Sequence, residues 1–122
     1  MAKKILIIDD DRSFAEMVAQ FLKSQGCSVL FASSLQEALE MFKREKPALV
    51  LLDYDMPILT GDKVAPRLQA LTPGLRIIVV TGCTESEVEE KFKGLGYYAI
   101  FHKGSMSLAD LKDKVNQALN FT

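Results

Sequence analysis

Short, wholly apolar runs that stop at an aspartate constrain this chain more than any other feature. Ile5-Leu6-Ile7-Ile8 stops at Asp9-Asp10-Asp11, and Ala48-Leu49-Val50-Leu51-Leu52 stops at Asp53. Ile77-Ile78-Val79-Val80 is equally apolar and stops at Thr81-Gly82. Runs with no polar alternation suit strands buried on both faces of a parallel sheet. Parallel neighbours deliver their carboxyl ends to one edge, where open α/β sheets bind ligands. The aspartates of separate runs therefore meet. Two unit charges ~5 Å apart at an effective dielectric of ~20 repel by roughly 3 kcal/mol, so such a cluster calls for a cation, a shared proton or a basic partner.

Between the runs lie helical patterns. Phe14, Met17, Val18, Phe21 and Leu22 fall on one helical face, and Gly26 ends that helix. Ser28–Ala32 reads as a short strand. Ser34 and Glu37 make a capping box for a second helix with the face Leu35, Ala38, Leu39 and Phe42. A loop from Tyr54 to Gly61 leads into a third helix that ends near Leu71, with Pro66 in its first turns. Thr84 and Glu87 open a polar fourth helix that runs to Gly94 or Gly96, and Tyr98–His102 is a fifth strand. Ser107 caps a last helix with the face Leu108, Leu111, Val115 and Leu119. The strand–helix alternation, with right-handed crossovers, predicts a doubly wound parallel sheet with helices on both faces.

The 122 residues suit one domain over 1–122. Acidic and basic residues nearly cancel, with a formal net charge of −1, and no basic stripe is present, so the sequence does not support direct nucleic-acid binding. No run approaches the ~18 apolar residues of a membrane span, and the N-terminus is no secretory signal. The expected location is cytoplasmic. Cys27 and Cys83 form no metal or redox motif and read as free thiols.

The strand ends supply a coherent chemistry. Asp9, Asp10 and Asp53 offer hard oxygen ligands, which suit Mg²⁺. Lys103 follows the fifth strand and brings a point charge that pairs with a carboxylate or a phosphoryl oxygen. Thr81 brings a hydroxyl, and Gly82 lets backbone amides approach an anion. A carboxylate nucleophile, a divalent cation, a lysine and a hydroxyl make a phosphoryl-acceptor site. Alone, Asp9-Asp10-Asp11 would be read as helix capping, and Asp11 keeps that reading.

Ile7-Ile8-Asp9-Asp10, Leu51-Leu52-Asp53-Tyr54-Asp55-Met56-Pro57 with Gly61, Val79-Val80-Thr81-Gly82, and Lys103 together resemble the receiver domain of bacterial two-component response regulators. The resemblance covers essentially the whole chain. It implies a flavodoxin-like doubly wound (βα)5 fold with a five-stranded parallel sheet in the order 2-1-3-4-5. It implies a signalling domain, not an enzyme, that assists its own phosphorylation and dephosphorylation, takes a phosphoryl group from a histidine kinase or phosphotransfer protein and acts on a downstream protein effector or fused output domain. Residue by residue, Asp53 is the implied phosphoacceptor. Asp10 is the implied Mg²⁺ ligand, with Asp9, Asp53 and the backbone carbonyl of Asp55. Lys103 holds Asp53 and later a phosphoryl oxygen, and Thr81 carries the conformational signal. The positions that tune dephosphorylation in the family fall on Asp55 and Cys83.

Two residues depart from the pattern. Ile100 occupies the place of an aromatic switch residue, with Tyr98 and Phe101 nearby, and Gly104 follows Lys103 in place of the family's proline. These departures motivate an alternative, a receiver-fold interaction module that no longer switches on phosphorylation. A small Mg²⁺-dependent phosphatase is a further alternative, since Asp53-Tyr54-Asp55 looks like the D-x-D pair of haloacid-dehalogenase-type phosphatases. That family places its D-x-D after its first strand, whereas here the acidic pair comes first.

Overall fold

The computed structural model describes residues 3–57 and 59–120. Five strands alternate with five helices: β1 (Lys4–Ile8), α1 (Arg12–Ser24), β2 (Ser28–Ala32), α2 (Leu35–Glu45), β3 (Leu49–Asp53), α3 (Gly61–Leu71), β4 (Arg76–Thr81), α4 (Glu85–Lys91), β5 (Ala99–His102) and α5 (Leu108–Asn120). The sheet is parallel throughout, in the order β2-β1-β3-β4-β5. This is the expected architecture and order.

The pleat sorts the apolar runs into two cores. Ile5 and Ile7 of β1, Leu49 and Leu51 of β3, and Ile78 and Val80 of β4 pack with Ala15, Val18 and Leu22 of α1 and Leu111 and Val115 of α5. Leu6, Ile8, Val50, Leu52, Ile77 and Val79 point the other way and pack with Ala38 and Phe42 of α2, Val64 and Leu68 of α3, and Val88 of α4. Both faces of the central strands are thus covered, which is why their sequences lack polar alternation.

The same alternation aims the residues at the strand ends. Ile8 lies opposite Leu52, so Asp9 and Asp53 come level on adjacent strands. Both continue the α1/α5 side of the pleat, as does Lys103 after Ala99 and Phe101. Thr81 and His102 are register partners on the opposite side, continuing Ile77, Val79 and Ile100.

Several local expectations shift. β3 begins at Leu49 and includes Asp53, whose partner is Val80, so the aspartate ends the strand from inside it. In α1, Ala15 and Ala19 line the buried face and Met17 is 46% exposed, because the small alanines let the helix backbone approach the sheet and turn Met17 to the far side. In α5, Ala118 is buried where Leu119 was expected, and Leu119 is only partly covered. α4 stops at Lys91, since Phe92 turns fully into the core and Gly94 adopts a left-handed φ of 82°. Pro66, by contrast, lies in the early turns of α3 as expected, in the second. β5 starts at Ala99, leaving Tyr98 just outside it.

The caps follow the sequence. Asp11 caps α1 by accepting from the Phe14 amide at 3.1 Å, and Ser34 and Ser107 cap α2 and α5 by accepting from Glu37 and Asp110. Glu37 closes its box on Ser33, one residue before the cap. Cys27 and Cys83 are free thiols. No helix among the described residues is long and apolar enough to cross a membrane.

Candidate phosphoacceptor site

Asp9 and Asp53 are both about 1% exposed at the carboxyl edge of the sheet. Each uses one oxygen to order the loop that follows it. Asp9 Oδ1 accepts from the Asp11 amide at 2.9 Å, and Asp53 Oδ1 accepts from the Asp55 amide at 3.1 Å. These turns hold both carboxylates at the edge rather than letting them swing into solvent.

Lys103 closes the cluster. Its Nζ donates to Asp9 Oδ1 at 3.1 Å and lies 2.9 Å from Asp9 Oδ2 and 3.5 Å from Asp53 Oδ2. The Lys103 amide donates to the Thr81 carbonyl at 2.7 Å, which fixes the lysine's backbone to the end of β4. From α1, the Phe14 ring covers the ammonium, with Nζ 4.7 Å from its centroid.

The electrostatics follow from this crowding. Burial and the nearby Asp9 charge push the Asp53 carboxyl up to about 7, against the opposing pull of Lys103 and the Asp55 amide. Burial acts to lower the Lys103 pKa, but the hydrogen bond to Asp9 and the charges of Asp53, Asp9 and Asp11 outweigh it and leave the ammonium above its usual value.

One oxygen each from Asp9, Asp10 and Asp53 lie within 4.8 Å of one another. Asp10 is exposed and gives the cluster an open side. Asp9 Oδ2 is buried and receives no well-aligned hydrogen bond, although the ammonium is close. A buried carboxylate oxygen with an unused lone pair, beside two further carboxylates, fits a hard divalent cation.

Of the other residues singled out in the sequence, Thr81 is fully buried and its Oγ1 accepts from the Cys83 amide at 2.9 Å. The Asp55 side chain is exposed and takes the Cys83 thiol as a donor, Sγ to Oδ1 at 3.1 Å. Gly61 is required by close approach: a Cβ there would sit 2.8 Å from the Asp53 carbonyl oxygen. Ile100 packs on the α4 side of the sheet, whereas Tyr98 and Phe101 pack on the α1/α5 side. Neither neighbouring aromatic packs on the side that Ile100 occupies.

With this arrangement established, the sequence model of the response regulator receiver domain matches residues 5–116. The chain belongs to the response regulator receiver domain family. Among its relatives is sporulation initiation phosphotransferase F of Bacillus subtilis (strain 168), 28% identical over 119 residues that cover 98% of this chain and 95% of that protein. Response regulator MprA of Mycobacterium leprae (strain TN) is 38% identical over 92 residues, covering 75% of this chain but 40% of MprA. Several of its curated relatives are thus much longer, and this receiver domain spans about two-fifths of their length. The crystal structure of a CheY-like response regulator receiver domain protein from Methanospirillum hungatei JF-1 superposes with a TM-score of 0.90 at 29% identity, covering 98% of this chain and 95% of that one. Receiver domains are signalling domains of two-component systems.

Two contacts at this edge escaped the sequence reading. Phe14 reads as one more apolar position on α1, and only the pairing of α1 with the strand ends puts its ring on Lys103. The His102 ring, which the sequence treats only as the end of the fifth strand, bonds two backbone groups.

Proposed function

We propose that the chain is a single receiver domain over residues 1–122, a phosphorelay switch that accepts a phosphoryl group on Asp53 from a histidine kinase or phosphotransfer protein. The observation that carries this reading is the buried Asp53 carboxylate, flanked by Asp9 and by a lysine 3.5 Å away. Asp53 Oδ1 is engaged with the Asp55 amide, which leaves Oδ2, the oxygen nearest Lys103, as the nucleophile. It forms the new P–O bond as the donor's P–N bond breaks, and the departing imidazole takes the electron pair and then a proton. Asp9, Asp10 and Asp53, with the Asp55 backbone carbonyl, would hold Mg²⁺. When bound, the cation offsets negative charge on the transferring group. Lys103 opposes protonation of Asp53 before transfer and meets a phosphoryl oxygen afterwards, and Thr81, at the end of β4, passes the change to the β4–α4 loop. The altered surface is read by a downstream protein effector or a fused output domain, in the cytoplasm, without direct contact to nucleic acid.

Incubation with a small phosphodonor such as acetyl phosphate and Mg²⁺ should add one phosphoryl mass, and Asp53→Asn should abolish it. An unchanged wild-type mass would overturn the reading. The packing of Ile100, with both nearby aromatics on the other face, favours a second reading in which acceptance persists without an aromatic relay or switching is lost. Amide spectra with and without a beryllofluoride phosphoryl mimic separate these outcomes, since a dead switch shows shifts confined to the acid cluster.

A further inference from the structure

His102 sits between the two loops that flank the site, and both of its ring nitrogens are engaged by backbone. Nδ1 accepts from the Gly104 amide at 3.1 Å, and Nε2 lies 3.2 Å from the Gly82 carbonyl oxygen. An amide N–H only donates and a carbonyl oxygen only accepts, so the partners fix the tautomer: the proton is on Nε2, and Nδ1 is bare. The ring therefore spans from the residue after Thr81 to the residue after Lys103. The main chain repeats the linkage, since the Lys103 amide donates to the Thr81 carbonyl and the His102 carbonyl accepts from Ser105 and Met106.

This geometry accounts for Gly104. Its φ is not positive, so the backbone does not demand glycine. A Cβ there would lie 3.0 Å from His102 Cε1 and 3.3 Å from Nδ1, so the imidazole does. Proline would also lack the amide hydrogen that Nδ1 accepts. The residue pair at 102 and 104 thus forms one device.

We propose that His102 is a positioning residue that straps the β4–α4 loop to the β5–α5 turn, so that Lys103 and the Thr81–Cys83 segment move together. With Ile100 in place of an aromatic, the strap supplies a route from lysine to loop that runs through hydrogen bonds rather than through rotation of a ring. This inference rests on the phosphoacceptor reading for its trigger but not for its geometry.

Two variants cut the strap from opposite sides: His102→Phe removes both bonds while keeping a planar ring, and Gly104→Ala displaces the imidazole. Side-chain ¹⁵N spectra of the wild type should show protonated Nε2 and bare Nδ1 on His102. Amide hydrogen exchange in both variants should rise several-fold at Cys83 as well as at Gly104. On saturation with beryllofluoride and Mg²⁺, the Cys83 and Thr84 amide shifts should fall to less than half their wild-type size, while those of Lys103 persist. An Nδ1–H tautomer, or Cys83 exchange and shifts identical to wild type in both variants, would overturn the strap. A wild type that ignores the mimic would sink the phosphoacceptor reading instead, and the tautomer and exchange results would still decide the strap.

Discussion

The Lys103 ammonium lies closer to Asp9 than to Asp53, 2.9 Å from Asp9 Oδ2 against 3.5 Å from Asp53 Oδ2. A lysine so placed neutralises part of the charge that would otherwise draw a cation. Replacing it with a neutral side chain leaves the carboxylates uncompensated, and unit charges a few ångströms apart at an effective dielectric of ~20 interact by roughly 3–4 kcal/mol. Lys103→Ala should therefore bind Mg²⁺ about tenfold or more tightly, read by the fluorescence of Tyr54 beside Asp53, while phosphorylation of Asp53 slows. Weaker Mg²⁺ binding in the variant would contradict the assignment of Lys103 as the competing charge.

The raised pKa of Asp53 makes the acidic edge costly in the absence of a cation. An unfolded aspartate ionises near ~4, whereas the folded carboxyl ionises near about 7. Between those values the folded chain holds the extra proton, so this group's contribution to stability is fully present below about pH 4 and is lost as pH rises through about 7. Asp53→Asn should then stabilise the fold at pH 8 in the presence of a chelator, on the order of 2–4 kcal/mol. The gain should shrink at pH 5 and on adding Mg²⁺ to the wild type. Urea unfolding at the two pH values measures it.

Gly61 ties the α3 N-terminus to the end of β3, beside Asp53. Its amide donates to the Tyr54 carbonyl at 2.9 Å, and a Cβ would be 2.8 Å from the Asp53 carbonyl oxygen and 3.0 Å from Tyr54 Cα. Both obstacles are backbone, which cannot rotate away. Gly61→Ala should cost roughly 1–3 kcal/mol in stability and lower the phosphorylation rate of Asp53 by displacing the end of β3. A variant as stable and as fast as the wild type would show that the loop gives way freely.

The fold was legible because its strands are short and uniformly greasy: the runs ending at Asp9, Asp53 and Thr81 leave few arrangements other than a parallel sheet with helices on both faces. The acid cluster was legible for the same reason, since strand ends of a parallel sheet share an edge. The Asp9–Asp53 pairing itself follows from register, Ile8 against Leu52. Side-chain choices that depend on three elements meeting were not legible. The aromatic cover on Lys103 needs α1, β1 and β5 at once, and the imidazole strap needs β4 and the turn after β5. The misplaced α1 face has a different cause: an apolar count favours Met17 over alanine, whereas close packing on a sheet favours the smaller side chain.

Phe14 stabilises the charged form of Lys103 through its ring face, at 4.7 Å. A cation over an aromatic face contributes about 0.5–2 kcal/mol, more when water is kept away. Phe14→Leu should lower the Lys103 pKa and slow phosphorylation from a small phosphodonor, whereas Phe14→Tyr should keep both near wild type. Titration of the lysine Cε–Nζ resonances reads the first effect directly. If leucine and tyrosine behaved alike, the ring would be acting as apolar bulk alone.

The Cys83 thiol donates to Asp55 Oδ1 at 3.1 Å, and the thiol pKa rises first because of this hydrogen bond and then because of desolvation and the Asp55 charge. The thiolate is the reactive form, so a raised pKa means a quiet cysteine despite its place at the rim of the site. Alkylation by iodoacetamide at pH 8 should be several-fold slower than for an unstructured thiol, and Asp55→Asn should speed it by removing the carboxylate charge. Cys83→Ser keeps a donor to Asp55, whereas Cys83→Ala frees the carboxylate at the mouth of the acid cluster. A free carboxylate there repels an incoming phosphodonor, so Cys83→Ala should phosphorylate more slowly than Cys83→Ser, and equal rates would show that the thiol–carboxylate pair has no part in controlling access to Asp53.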